Sequence, residues 1–115
     1  MDYAIAVEEQ RVVVRLSFHP LPQNDLVIFL PESEGQPFPK NAASQGAHLL
    51  QLVKDAGGSP SITVLGKTPQ DKVVTAEVSA TGMKVWTSAL SLPWECDLAM
   101  ATAFANALVD TAQPG

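Results

Sequence analysis

Polar and apolar residues alternate most clearly over Arg11 to Phe18. Val12, Val14, Leu16 and Phe18 share one face, and Arg11, Val13, Arg15 and Ser17 share the other. A period of two predicts a half-buried strand. Tyr3 to Val7 reads as a strand before it, and the short polar break Glu8-Glu9-Gln10 joins the two as a hairpin. Two prolines make His19 to Asn24 a loop. Asp25 to Leu30 is apolar without alternation, the pattern of a strand covered on both faces, and Pro31 ends it.

Glu32 to Lys40 is a loop rich in proline, glycine and acid. A helix is predicted over Ala42 to Ala56, with Asn41 as N-cap and Leu49, Leu52, Val53 and Ala56 on its core face. Gly57-Gly58 offers a left-handed C-cap, and Lys54 complements the helix dipole. Strands follow at Ile62 to Leu65 and, with renewed alternation, at Val73 to Ala80. Thr81-Gly82 then turns the chain into a hairpin strand over Met83 to Ser88. The last element reads as a helix from about Pro93 to Asp110, with Ser91 as cap and Leu98, Ala101, Ala105, Leu108 and Val109 as its core stripe.

The order βββα-βββα predicts an α+β fold. It would have two layers, a largely antiparallel sheet of about six strands with two helices on one face. Strands that arrive in hairpins argue against a doubly wound parallel sheet. The two halves, 1–57 and 58–115, also match at an offset of 56: Pro37 with Pro93, Ala43 with Ala99, Ala47 with Ala103, Leu52 with Leu108, Val53 with Val109 and Ala56 with Ala112. Three of these are helical alanines, which match cheaply, and the strands do not keep the register. Duplication, or two similar capped helices each following a sheet segment, would give this pattern.

Length and charge narrow the function classes. At 115 residues the chain suits one domain, 1–115, and a 46% hydrophobic content argues against disorder. Seven basic against twelve acidic residues give −5, divided as −3 over 1–57 and −2 over 58–115. This diffuse acidity disfavours nucleic acid and anionic membrane, which call for clustered Lys and Arg. A basic partner would be drawn faster. No apolar run approaches the roughly 20 residues of a membrane span. Met1-Asp2-Tyr3 lacks a basic leader region, so a cytoplasmic protein is expected. The single Cys96 permits no internal disulfide and no zinc site built on two thiolates.

Chemical candidates are few. Cys96, read in the first turn of the last helix, would gain thiolate character from the dipole, yet Glu95 and Asp97 flank it and oppose this. His19 and His48 are the only imidazoles, with no metal-ligand spacing, so no metal or cofactor is expected. Glu32, Glu34 and Asp25 form no readable acid/base pair. Phe38 and Trp94, each beside a proline before a helix, fit hydrophobic staples.

The strongest signal is the sheet face turned away from the helices, which would carry Arg11, Val13, Arg15, Glu77, Lys84 and Trp86. An aromatic among charges has the composition of an interface centre. The expected function is therefore non-enzymatic protein–protein contact, as an adaptor, an inhibitor or immunity-type protein, or a homodimer. The alternative is a small-molecule binder or minor enzyme. Its apolar pocket between helices and sheet would be lined by Phe18, Phe29, Phe38, Trp94 and Phe104, with His19 or Cys96 at the mouth.

Overall fold

The computed structural model describes residues 2–9, 11–17, 26–31, 40–58, 60–88 and 93–111. Its strands are β1 (Asp2–Glu8), β2 (Arg11–Ser17), β3 (Leu26–Phe29), β4 (Ser61–Lys67), β5 (Val73–Ser79), β6 (Gly82–Trp86) and β7 (Trp94–Cys96). Its helices are α1 (Lys40–Lys54), between β3 and β4, and α2 (Leu98–Thr111), after β7. The fold is α+β: one open antiparallel sheet of seven strands in chain order, with two helices.

Burial follows the alternation of β2, where Val12, Val14 and Leu16 are fully enclosed. Val74, Ala76 and Val78 of β5 and Met83 and Val85 of β6 extend the same apolar cluster, which Leu49 of α1 and Ala101, Phe104, Ala105 and Leu108 of α2 complete. The helices cross closely. At Gly46 a Cβ would stand 2.6 Å from the Ala105 carbonyl oxygen and 2.8 Å from Val109 Cγ2, so the crossing requires glycine.

Five sequence expectations are corrected. The sheet has seven strands where about six are expected, because Trp94–Cys96 is strand and not the start of a helix. Burial decides this: Trp94 and Cys96 enter the core while Glu95 stays out, which a helical turn could not arrange. Asp97, not Ser91, caps α2, its carboxylate accepting from the Met100 amide at 2.8 Å. Asn41 lies inside α1, and its Nδ2 donates to the Pro31 carbonyl at 3.0 Å. Gly57 and Gly58 keep negative φ, α1 ending in short turns from Ala56 to Val53 and from Gly58 to Asp55. Finally, β3 is not covered on both faces. Leu26 and Ile28 are buried, whereas Val27 and Phe29 are half-buried on the other side.

Candidate functional site

Strand order decides which outward residues meet. Arg11, Val13 and Arg15 lie on β2, and Glu77, Lys84 and Trp86 lie on β5 and β6. β3, β4 and β5 separate β2 from β6, a distance of about 19 Å at the usual strand spacing. The expected cluster of Arg11, Arg15 and Lys84 around Trp86 is therefore two separate groups.

In the first group, Arg15 holds Glu8 of β1 in a two-pronged ion pair at 2.5 and 3.3 Å. The contact lowers the Glu8 carboxyl from its ordinary pKa and raises the Arg15 guanidinium, in each case chiefly through the side-chain hydrogen bond. Both side chains are solvated, so the pair contributes little stability. Val13, paired with Ala6 on one side and Phe29 on the other, is only 3% exposed and offers no contact surface. Arg11 stacks its guanidinium 4.6 Å from the Phe29 ring centroid. In the second group, Glu77 and Lys84 are cross-strand partners, Lys84 reaches Glu95 at 3.6 Å, and Trp86 is half-buried opposite Thr75.

Between these groups lies what sequence patterning missed. Ile62, Val64 and Val73 are 66%, 54% and 49% exposed, large aliphatics in the middle of the outward face. Val64, Thr75 and Trp86 form one row across β4, β5 and β6, with Ile62, Glu77, Lys84 and Glu95 in the next row. Ser61 to Val64 alternates, but a period of two marks faces without saying which one is buried. Pairing with Glu77 and Thr75 places Ile62 and Val64 outside, and the register shift between Val64 and Gly66 lets Leu65 and Gly66 both be buried before Lys67 returns to the outer face.

At Val64 this face runs into a crevice where β3 and β4 part. Arg11, Phe29, Leu30, Pro31, Val64 and Lys67 line it, together with the Thr68–Asp71 turn, and its volume is about 560 Å³. That lies within the roughly 300–1,000 Å³ of small-ligand sites. The floor is apolar and the rim carries two cations. Lys67 is tied to Asp71 at 3.3 Å. Among the described residues Arg11 has no carboxylate partner, because Glu8 across the ladder is engaged by Arg15.

Among the described residues, those expected to line a pocket between helices and sheet do not come together. Phe104 and Trp94 are core side chains in edge-to-face contact at 6.1 Å, so Trp94 is no staple. Phe29 lies on the opposite face, in the crevice. Phe18, His19 and Phe38, and with them Asp25, Glu32 and Glu34, fall outside the described residues. His48 is exposed on α1. Among the described residues no group of three or more His, Cys, Asp or Glu could hold a metal, and no helix is long and apolar enough to cross a membrane.

Cys96 stands in β7 rather than at a helix N-terminus, paired with Met83 and buried. Burial pushes its thiol up to about 11; a backbone hydrogen bond from Met83 opposes this, and the Asp97 charge adds to it. The reactive species is the thiolate. Native-state alkylation should therefore stay slow through pH 9 and accelerate only as the pH nears 11, while denaturant exposes an ordinary thiol. A native midpoint at or below 9 in the rate–pH profile would contradict this placement. The linkage sign follows. A thiol raised on folding stabilises the native state fully below its unfolded pKa, and this contribution is lost as pH rises from about 9 through 11.

Compared with protein-family models, curated proteins and solved structures, the chain matches none of them.

Proposed function

We propose that this chain is a non-enzymatic interaction domain that binds a partner protein through the outward face of its sheet. The observation that carries the proposal is the exposure of Ile62, Val64 and Val73 on the sheet face that also holds Trp86. Each exposed aliphatic side chain forgoes about 1.5–3 kcal/mol that burial would supply. Three together on one face, next to a half-buried tryptophan, have the composition of an interface centre. Charges at the margins, Lys84 with Glu95 and Arg15 with Glu8, supply the polar rim. In this proposal the helices form a second layer behind the sheet, and the chain works as one domain in the cytoplasm. The two half-repeats are then parts of one binding unit rather than two.

The test is the double variant Ile62→Lys, Val64→Lys. Both positions are solvated, so its melting temperature should stay within a few degrees of the parent. It should lose the partner recovered by affinity purification, or dissociate a homodimer seen by light scattering. A variant that keeps the same partner and the same mass removes this face from consideration.

The crevice favours a second reading, a small-molecule site. It is tested by thermal shift across a metabolite set, where a bound ligand stabilises the folded state by mass action. Stabilisation that persists in the single variant Ile62→Lys, which leaves the crevice lining intact, would favour this reading over a protein partner.

A further inference from the structure

β4 has β5 beside it along its length but meets β3 at the single pair Phe29 and Lys67. From Ser61 to Val64, then, one side of the strand is laddered, and among the described residues no strand lies against the other. Where the β3 chain continues past the crevice it runs through Pro31, which has no N–H to donate. The Val64 carbonyl is met instead by a side chain, Gln45 Nε2 of α1, at 3.0 Å. Over Ser61 to Val64 this half-edge carries no lysine, one of the devices by which sheets protect open edges. It opens into the crevice, with Arg11 on Phe29 at one wall and Lys67 at the other.

An extended backbone is the occupant that supplies both donors and acceptors to such an edge, and strand addition is an established mode of peptide recognition. The charge of that peptide follows from the rim. Arg11 has no carboxylate among the described residues, and Lys67 has only the solvated Asp71. The net charge of −5 does not reverse this preference, since charges more than about 8–10 Å away are largely screened at physiological salt. A carboxylate set against the Arg11 fork would make a charge-assisted hydrogen bond over an apolar floor.

We propose that the crevice takes an extended acidic peptide, which pairs with the free side of β4 over Ser61 to Val64 and sets a carboxylate against Arg11. This rests on the outward sheet face being the docking face, and it names the partner segment.

The experiment pans a display library of random decapeptides against the intact protein, then measures the enriched sequences as labelled peptides by fluorescence anisotropy. Asp or Glu interspersed with β-branched residues is expected. Arg11→Gln, at an exposed position with no ion pair among the described residues, should weaken binding about tenfold. Amide exchange at Ile62 and Val64 should slow in the complex, because added ladder bonds protect those N–H groups. Enrichment of Lys and Arg, unchanged affinity in Arg11→Gln, unchanged exchange at both amides, or a library with no enriched sequence each overturns the proposal. If Ile62→Lys abolishes peptide binding and Arg11→Gln does not, the docking face survives and the acidic-peptide assignment fails. If neither variant alters it, both fail.

Discussion

Phe104→Ala is expected to cost about 3–5 kcal/mol, the usual range for deleting a buried phenylalanine. The ring is fully enclosed and is the largest such side chain. It sits edge-to-face with Tyr3 of β1, 5.2 Å between centroids at 77°, and with Trp94 of β7, 6.1 Å at 62°. β1 and β7 are the first and last strands of the sheet, so one side chain of α2 touches both edges. The cavity left by alanine would open at this junction, where the open sheet has no ladder to close it. Domains of this size are stable by roughly 5–15 kcal/mol, so the variant would lose about a fifth or more of that margin. Urea unfolding followed by far-UV circular dichroism should show it, with a melting temperature lower by roughly 10–25 °C. Tyr3→Ala should cost less, because Tyr3 is only partly buried. A loss below about 1.5 kcal/mol for Phe104→Ala would mean that β1 and β7 hold to α2 without this ring.

How much of this could be read beforehand depended on element length and on locality. β2 was legible because seven residues of strict alternation outweigh any helical alternative, and the β5–β6 hairpin because its turn residues lie between two alternating runs. β7 was not, since three residues followed by an alanine-rich helix carry too little period to separate from the helix. Asp97 was the available signal: as a strong N-cap three residues before Met100, it marks the start of α2 after Cys96 rather than before it. The site was harder. Arg15 and Trp86 do share a face, but sheet order is non-local, and only the chain-order meander places three strands between them. Ile62 and Val64 were read as part of a short apolar strand with no side assigned. Only their pairing with Glu77 and Thr75 of β5 fixes them on the outward side. Phe29 presents a similar difficulty, since the run of five apolar residues from Leu26 to Leu30 hides its alternation. What hydrophobic periodicity supplied was the inner face. The outer face, where function is proposed, is specified by pairing.

Gly82→Ala is the second substitution expected to destabilise strongly, by roughly 2–5 kcal/mol from backbone strain and overpacking together. Gly82 opens β6 with φ near +150°, a region that side chains rarely enter. The space is also closed: a Cβ would lie 2.9 Å from the Asp97 Cα and 3.0 Å from the Cys96 carbonyl carbon. Those atoms are backbone, so no rotamer change relieves the clash and the chain itself must move. What moves is the junction between β7 and α2. β7 is held to β6 by three pairs, Met83 with Cys96, Lys84 with Glu95 and Val85 with Trp94, and Asp97 caps the helix that follows. Pushing this segment outward should loosen Trp94 from Phe104 and expose Cys96, so thiol alkylation in native buffer should accelerate along with the loss of stability. Gly57→Ala is the control. Nothing lies within 4 Å of its Cβ position and its φ is negative, so it should be neutral or stabilising by up to about 1 kcal/mol. Equal stability changes for the two variants would show that a residue other than glycine fits at position 82, and that the β6–β7 contact does not depend on it.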